Sequence, residues 1–153
     1  MGKDREYPAH PLVGVGALVH DSAGRVLLIK RKFEPNKGRW SLPGGLLETG
    51  ETLVEAGKRE TREELGVEIE VEELFQVSEE LIRDAEGKTR YHFVLVDFLA
   101  KVSPEGATIT LNEESEAFKW FDPEQVDALE ASENTRAIVG KYRRERRRRH
   151  SGH

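Results

Sequence analysis

A glycine followed by a row of glutamates at helical spacing constrains this chain more than any other feature. Residues 45–67 read GLLETGETLVEAGKRETREELGV. Glu60 and Glu64 are four positions apart, so they share one face of a helix, and Glu63 borders that face. Like charges at this spacing destabilise a helix unless positive charge lies among them, and a hard divalent cation such as Mg²⁺ binds oxygen ligands of this kind. Spacing alone leaves two interpretations open, a solvated acidic helix face and a metal site.

The same segment resembles the sequence motif of a known family, the Nudix box. That box has a glycine, five residues, a glutamate, seven residues, then Arg-Glu-x-x-Glu-Glu-x-Gly and an aliphatic residue. Every fixed position is met here, by Gly45, Glu51, Arg59, Glu60, Glu63, Glu64, Gly66 and Val67. Thr61 stands where the family usually has an aliphatic residue, and its methyl group can still pack. A match of this length is highly specific, and the similarity to Nudix hydrolases extends into the flanking strands.

Length and composition limit the class of protein. The 153 residues are enough for one domain with a single buried core. No apolar run is long enough to span a membrane, and the first eleven residues are polar and lack the apolar core of a signal peptide. The absence of cysteine excludes disulfides and thiolate metal sites. These features predict a cytoplasmic protein without a membrane segment.

The net charge of −5 hides an uneven distribution along the chain. Residues 141–149 hold seven basic residues and one acid, and the rest of the chain holds 17 basic and 28 acidic residues, a net charge of −11. An acidic body argues against nucleic-acid binding by the globular face. We therefore predict a Nudix hydrolase domain over residues 1–140 and a basic, Arg-rich tail over 141–153. The tail is either the end of a terminal helix or disordered.

Hydrophobic patterning and turn residues predict a mixture of strands and helices. Thr52 and Glu55 form a capping box, so a helix begins there and runs to Glu64 or Leu65, with Gly66 as its stop. Strands are predicted at residues 13–20, 25–31, 67–71 (resuming at 74–77), 90–100 and 118–121, with a short extended piece at 40–45. Further helices are predicted at 123–129, after the N-cap Asp122, and at 134–147. This order predicts an α/β fold, and the resemblance implies the Nudix fold, an α/β/α sandwich with a mixed central β-sheet.

The resemblance to Nudix hydrolases implies a metal-dependent enzyme that cleaves a pyrophosphate bond in a nucleoside diphosphate linked to a group X. The expected cofactor is Mg²⁺, with Mn²⁺ as a possible substitute. Carried over from the family, Glu60 and Glu64 are the best metal ligands, Glu63 is the next, and the carbonyl of Gly45 or Gly44 completes the site. Arg59 is expected to orient these groups, and Glu51 to pair with it.

The general base stays open between a glutamate of the box, Glu63 or Glu64, and an acid on a loop before the last core strand. Residues 112–121, NEESEAFKWF, resemble that loop. Glu114 is the preferred candidate, with Glu113 and Glu116 behind it. The alternative for each of these three is a solvated acid on a loop.

Contacts to the substrate are predicted from basic and aromatic residues near the expected mouth of the site. Arg31 and Arg39 can hold phosphates, as can Lys32. Phe33 and Trp40 can stack on a base, although aromatics in such strands are more often part of the core; the same applies to Tyr91 and Phe118. His92 is expected to be a structural or surface histidine.

The identity of X is less constrained than the family. The segment 38–45 and the strand 91–98 look most like small ADP-ribose pyrophosphatase-type members, so ADP-ribose or a related nucleotide sugar is the first prediction. The proline common in that subfamily about 16 residues beyond the box is missing, since Ile82 and Arg83 stand there. A (deoxy)nucleoside triphosphate or a dinucleoside polyphosphate is the alternative.

A different class of protein is a nucleotide- or RNA-binding regulator built on a Nudix fold. Such proteins typically lose glutamates of the box, and this chain keeps them all, which favours an enzyme. The expected partner is therefore a small-molecule nucleotide, and nucleic acid is not expected except through the basic tail. Edge strands make a homodimer possible.

Overall fold

The computed structural model describes residues 5–151; residues 1–4 of the predicted domain and 152–153 of the predicted tail lie outside the described part. Within residues 5–151, seven strands, two α-helices and one 3₁₀-helix follow one another. They are β1 Leu12–His20, β2 Val26–Arg31, β3 Trp40–Ser41, β4 Gly44–Leu46, α1 Leu53–Leu65, β5 Glu68–Arg83, β6 Thr89–Ser103, β7 Ser115–Phe121, the 3₁₀-helix Pro123–Ala128 and α2 Glu133–Ser151. None of the described helices is long and apolar enough to cross a membrane.

The strands form one mixed sheet in the order β3-β2-β1-β6-β5, with β4 also paired to β1 and β7 to β2. β1 and β6 run parallel, with Val15 opposite Val96, and the other pairs are antiparallel. Helix α1 covers one face and helix α2 the other. The α/β fold with a mixed central sheet is therefore confirmed.

The two faces of the sheet can be followed along β1, where successive side chains point in opposite directions. Leu18 belongs to the cluster that contains Ile138 and Val139 of α2. Val19 belongs to the cluster that contains Leu65 of α1. An apolar run such as β1 is buried on both faces because a helix covers each side of the sheet.

Helix α1 has the caps that the sequence predicts. Thr52 Oγ1 accepts a hydrogen bond from the Glu55 N–H at 3.1 Å, and Gly66 has a left-handed φ of 67° with its N–H bonded to the Arg62 carbonyl. Thr61 is fully buried and donates its hydroxyl to the Gly57 carbonyl at 2.8 Å, which satisfies the one polar atom that an aliphatic residue would lack.

The structure differs from the predicted elements in β5, in β7 and in residues 123–128. β5 is a single strand from Glu68 to Arg83, because β-bulges at its pairing with β6 absorb the interruption predicted after Val71. β7 begins at Ser115 rather than 118, since Ser115 pairs with Arg31. Residues 123–128 form a 3₁₀-helix, whose Gln125 side chain accepts from the Asp122 N–H.

Helix α2 continues without interruption from Glu133 through the basic segment to Ser151. Ser132 precedes it and caps its first turn by accepting from the Thr135 N–H at 3.2 Å. Tyr142, inside the predicted tail, is 3% exposed and belongs to the core. The first part of the basic segment is therefore packed against the sheet.

Candidate active site

The turn at Gly44 and Gly45 lies directly against the glutamate face of helix α1. Glu64 is 3% exposed, and its Oε2 accepts a hydrogen bond from the Gly44 N–H at 3.1 Å. A Cβ added to Gly45 would lie about 2.4 Å from the carboxylate of Glu60, so a larger residue here would displace that carboxylate. The fold thus brings Gly45, Glu60 and Glu64 together, as the sequence predicts.

Glu64 carries an unusual charge environment. Burial raises its pKa to about 8, the negative charge of Glu60 adds to this, and the Gly44 N–H and Arg31 oppose it. Burial also raises the pKa of Glu60, which the hydrogen bond from Arg59 counteracts. Two carboxylates crowded in a site of low polarity are stabilised by any cation that binds between them.

Arg59 is the centre of an ion-pair network over these glutamates. Its Nε and Nη2 donate to the two oxygens of Glu51 at 2.6 and 2.9 Å, and Nη2 also donates to the Leu46 carbonyl at 3.0 Å. Nη1 donates to Glu60 at 2.8 Å and lies 3.3 Å from Glu63. The hydrogen bond from Arg59 lowers the pKa of Glu51 to about 2. Both predicted partners of Arg59, Glu51 and Glu63, are in place.

The donors present suit a hard divalent cation, because all of them are oxygens. The carboxylates of Glu60 and Glu64 and the carbonyl of Gly45 would hold it, with Glu63 at the exposed side. Within residues 5–151, however, no three Asp, Glu or His side chains converge closely enough to hold a metal ion. Nη1 of Arg59 contacts both Glu60 and Glu63, at 2.8 and 3.4 Å.

The acidic loop before β7 is tied to the end of helix α1. The Asn112 N–H donates to the Glu64 carbonyl at 3.2 Å, and the Lys32 N–H donates to the Glu114 carbonyl at 3.1 Å. Glu114 is half-buried, whereas Glu113 and Glu116 on either side are exposed. A cavity of about 280 Å³ is lined by Glu64, Glu113, Glu114, Arg31 and Phe33, among others. Three elements distant in sequence therefore meet at one site.

Arg31 lies where this cavity meets a second one. Burial lowers the pKa of Arg31, and the charge of Glu64 opposes that shift. Its Nε donates to the Pro35 carbonyl at 2.7 Å, which fixes the guanidinium under the loop after β2. A buried guanidinium beside several carboxylates is suited to bind a phosphate.

The other residues predicted to contact the substrate lie outside the two cavities. Trp40 packs edge-on against Phe121, 5.0 Å between ring centroids, on the α2 side of the sheet and lines neither cavity. Arg39 is exposed and acts electrostatically on Glu80. The structure corrects the expectation for Trp40, because alternation along β3 turns its ring into the core. Tyr91 is likewise buried, Phe118 is partly exposed, and His92 is a surface residue 3.4 Å from Glu79.

The second cavity, of about 110 Å³, contains residues that the sequence did not single out. Its polar lining includes Asn36, Ser41, Glu80, Asp97 and Asn134, and its apolar lining includes Phe93 and Leu95. Burial raises the pKa of Asp97 to about 6, and a hydrogen bond from Asn134 opposes the shift. One signal in the sequence pointed to Asp97, since it is the lone charged residue in the apolar run 93–100.

Comparison with known proteins agrees with this geometry. The chain is 35% identical to an ADP-ribose pyrophosphatase of Methanocaldococcus jannaschii over 74% of its own length and 63% of that protein's. It is 33% identical to a nucleoside triphosphatase, NudI, of an Enterobacter species over 65% of this chain and 72% of that protein. The crystal structure of a MutT Nudix hydrolase from Burkholderia pseudomallei superposes with a TM-score of 0.74 at 34% identity, covering 86% of this chain and 97% of that one.

A family model also matches most of the chain. Residues 10–141 match the model of the NUDIX domain. That range begins just before β1 and ends within α2, so it contains the whole sheet, helix α1 and every residue that lines the two cavities except Arg5. The chain therefore belongs to the Nudix hydrolase family.

Proposed function

We propose that this protein is a Mg²⁺-dependent hydrolase that cleaves the pyrophosphate bond of a nucleoside diphosphate linked to X, with ADP-ribose or a related nucleotide sugar as substrate. The observation that carries the proposal is the meeting of Glu64, Glu60 and Gly45 beside a cavity lined by Arg31 and Glu114. The similarity to an ADP-ribose pyrophosphatase supports this substrate. In the reaction water adds to one phosphorus and the bridging oxygen leaves with the other phosphate.

Divalent metal ions are the usual cofactors of the family, and Mg²⁺ is the proposed ion. When bound, such an ion neutralises phosphate charge and lowers the pKa of water. Glu60, Glu64 and the Gly45 carbonyl would hold it. Arg59 would keep Glu60 and Glu63 oriented, and Arg31 would bind a phosphate of the substrate from the opposite wall.

We assign the general base to Glu114, with the box glutamates as the alternative. Glu114 shares its cavity with Glu64, and its backbone is held on both sides by Asn112 and Lys32. Its carboxylate is not committed to a described hydrogen bond, in contrast to Glu64, which accepts from Gly44. A base that removes a proton from water needs such a free, half-buried carboxylate.

The experiment is a substrate screen of the purified protein with Mg²⁺. The compounds are ADP-ribose, NADH, diadenosine polyphosphates, nucleotide sugars and (d)NTPs. Glu64→Gln and Glu114→Gln should each lower kcat/KM for the hydrolysed compound by ~100-fold or more. Glu70→Gln is the matched control, since this exposed glutamate of β5 lines neither cavity and should keep activity. Absence of turnover, or turnover unchanged in Glu64→Gln, would contradict the proposal.

Hydrolysis of a (deoxy)nucleoside triphosphate is the second candidate activity, favoured by the similarity to NudI. The same screen separates the two activities, because the true substrate class, either nucleotide sugars such as ADP-ribose or (d)NTPs, should have the higher kcat/KM. Nucleotide binding without turnover of any compound would instead favour a regulator on this fold. The cytoplasmic location remains a prediction.

A homodimer through the edge strand β5 is part of the proposal. Leu74, Val77 and Leu81 are exposed by 54%, 59% and 43% and lie along that strand. An exposed edge with apolar side chains is a template for pairing with a second strand, here that of a second copy. Sedimentation equilibrium should give a dimer that Val77→Glu converts to a monomer, and a monomeric wild-type chain would exclude this surface.

The basic segment of α2 is the part of the described structure best suited to contact nucleic acid. Arg147 and Arg149 are exposed on it and suit a salt-dependent contact with phosphates. We expect no RNA binding at physiological salt. RNA binding that Arg147→Glu with Arg149→Glu abolishes would overturn that expectation.

A further inference from the structure

Two arginines mark the place where the two cavities meet. Arg5 and Arg31 line both the cavity of about 110 Å³ and the cavity of about 280 Å³, and no other residue of the described range 5–151 lines both. A molecule that extends from one cavity into the other therefore passes these two guanidinium groups. Arg31 belongs to the family domain, whereas Arg5 lies before residue 10, where the match to the family model begins.

The segment that carries Arg5 is held against the hairpin of β5 and β6. The Tyr7 N–H donates to the Arg90 carbonyl at 2.7 Å, and the Tyr7 hydroxyl donates to Asp84 Oδ2 at 2.9 Å. The Glu6 carboxylate lies 3.4 Å from Nε of Arg90. Tyr7 has a left-handed φ of 49°, which is uncommon for a bulky residue. These contacts fix the backbone next to Arg5, so that this half-buried side chain is held at the cavities.

The two guanidinium groups are close enough to affect each other's charge. Burial is the main reason that the pKa of Arg31 is lowered; Glu64 opposes the shift, and the positive charge of Arg5 lowers the pKa further. Within residues 5–151 neither arginine forms an ion pair with a carboxylate. The bond from Arg31 Nε to the Pro35 carbonyl occupies one of their donors. An anion with several acceptor oxygens would satisfy the other donors and relieve the repulsion.

The carboxylates around the cavities explain why one guanidinium would not be enough. Six acidic residues line the two cavities, and Arg5 and Arg31 are the basic residues of both linings: the acids are Glu34, Glu64, Glu80, Glu113, Glu114 and Asp97. An anionic group is repelled by such surroundings unless positive charge lies next to it. Arg5 doubles the positive charge at the place where the cavities meet.

We propose that Arg5 is a substrate-binding residue that, together with Arg31, holds the pyrophosphate group of the substrate where the two cavities meet. Each guanidinium binds one phosphate, because its planar N–H donors match two phosphate oxygens. This inference rests on the proposed function, since it presumes a substrate with a pyrophosphate group. It does not depend on X, because nucleotide sugars and (d)NTPs both contain that group.

The first test is equilibrium binding of methylenediphosphonate, a pyrophosphate analogue whose bridging carbon resists hydrolysis. Calorimetry measures its affinity for the full chain at one fixed Mg²⁺ concentration. Arg5→Gln should weaken binding by ~10-fold or more, the effect of losing hydrogen bonds between charged groups. Arg5→Lys should weaken it less, because lysine keeps the charge but not the paired donors. Arg83→Gln is the matched control, since it removes the same charge from an exposed arginine that lines neither cavity.

The second test is steady-state kinetics with the compound that wild type hydrolyses best. Arg5→Gln should raise KM by ~10-fold and change kcat by less than ~3-fold, because a contact made equally in the ground state and the transition state contributes to binding alone. Arg5→Lys should recover part of the loss in KM. The urea midpoint should be the same for all three proteins, which separates substrate binding from a purely structural role of Arg5.

The two tests separate this inference from the proposed function. Unchanged affinity for methylenediphosphonate in Arg5→Gln, an equal loss in Arg83→Gln, or no binding by wild type would overturn the inference. Weaker binding confined to the Arg5 variants, without turnover of any compound, would support the inference while contradicting the proposed hydrolysis. Hydrolysis with the same KM in wild type and Arg5→Gln would overturn the inference and leave the proposed function intact. If Arg5→Gln does not fold, the affinity of Arg5→Lys decides.

Discussion

Both oxygens of the Glu51 carboxylate accept hydrogen bonds from the Arg59 guanidinium, at 2.6 Å from Nε and 2.9 Å from Nη2. This paired geometry joins the loop before α1 to the second turn of the helix. It leaves Nη1 of Arg59 free to contact Glu60 and Glu63. Glu51 thereby sets the position of the group that orients the candidate metal ligands.

The Glu51–Arg59 pair should make stability depend on acidic pH. The pKa of Glu51 is lowered from 4.5 to about 2 by its hydrogen bond with Arg59. A lowered pKa stabilises the folded state above the unfolded pKa, and this contribution is lost as pH falls through the folded pKa. The difference in free energy of unfolding between wild type and Glu51→Gln should be constant above pH ~5 and shrink towards pH ~2. Urea denaturation across this range measures it, and a difference independent of pH would contradict the prediction.

Arg59→Lys should impair hydrolysis while preserving the fold. Lysine keeps the charge but cannot form the two parallel hydrogen bonds to Glu51 together with a contact to Glu60. We expect kcat/KM to fall by roughly 10- to 100-fold, as for other groups that orient metal ligands. Circular dichroism checks the fold. Arg62→Lys is the control, since Arg62 pairs with Glu68 on the exposed side of the same helix.

Asp97 should make stability depend on pH in the direction opposite to that of Glu51. Its folded pKa of about 6 lies above the ordinary 3.8, so the folded state keeps a proton that the unfolded state has released. Stability therefore falls as pH rises from about 4 to about 6. Relative to wild type, the free energy of unfolding of Asp97→Asn should rise by up to about 3 kcal/mol between pH ~4 and pH ~6. Above that interval the difference should stay constant. Unfolding free energies at pH 3.5, 5 and 7.5 test this, and an unchanged difference would refute it.

Gly57→Ala should stabilise the protein by about 1 kcal/mol, the helix-propensity difference between the two residues. Close packing does not require glycine at this position, because an added Cβ would lie 3.6 Å from Phe98 and Val15, at ordinary contact distance. Gly44→Ala is the contrasting variant, since its Cβ would clash with the Val15 carbonyl and lie 2.7 Å from the Gly16 Cα. Equal effects of the two substitutions on the denaturation midpoint would contradict this distinction.

Deleting residues 141–153 should destabilise the domain. The deletion removes Tyr142, which is buried and hydrogen-bonded to His20 Nδ1 at 2.8 Å. Loss of a buried aromatic side chain costs about 3–5 kcal/mol. Deleting only residues 147–153 should change the free energy of unfolding by less than ~0.5 kcal/mol, because Arg147, where this deletion starts, is exposed. Comparable melting temperatures for the two truncations would show that the helix end does not contribute to the core.

The candidate site could be predicted from the sequence where its residues are close neighbours in the chain. The spacing of Glu60, Glu63 and Glu64 follows from the helix period, and the caps Thr52 and Gly66 are local as well. The pairing of Arg59 with Glu51 also required only the helix and the loop before it. The continuous strand β5 could not be predicted in the same way, because its bulges depend on the partner strand β6.

Trp40 and Asp97 show what local sequence leaves open. An aromatic residue in a short strand packs equally well on either face, and the position of α2 decides that Trp40 meets Phe121. Asp97 is recognisable as a charge in an apolar strand, but its neighbours Ser41 and Asn134 come from distant segments. Their meeting depends on the pairing of β3 with β2, on the pairing of β1 with both β2 and β6, and on the packing of α2 against the sheet.

The sequence by itself determined the family, the helix that carries the glutamates and the ion pairs within that helix, because these depend on spacing along one element. The tertiary structure decided that Glu64 is buried against Gly44, that Glu114 faces it, and that Ser41 and Asp97 share a cavity. The reason is physical: helix spacing is set by backbone geometry, whereas burial and long-range contact are set by how the sheet pairs and which face each helix covers.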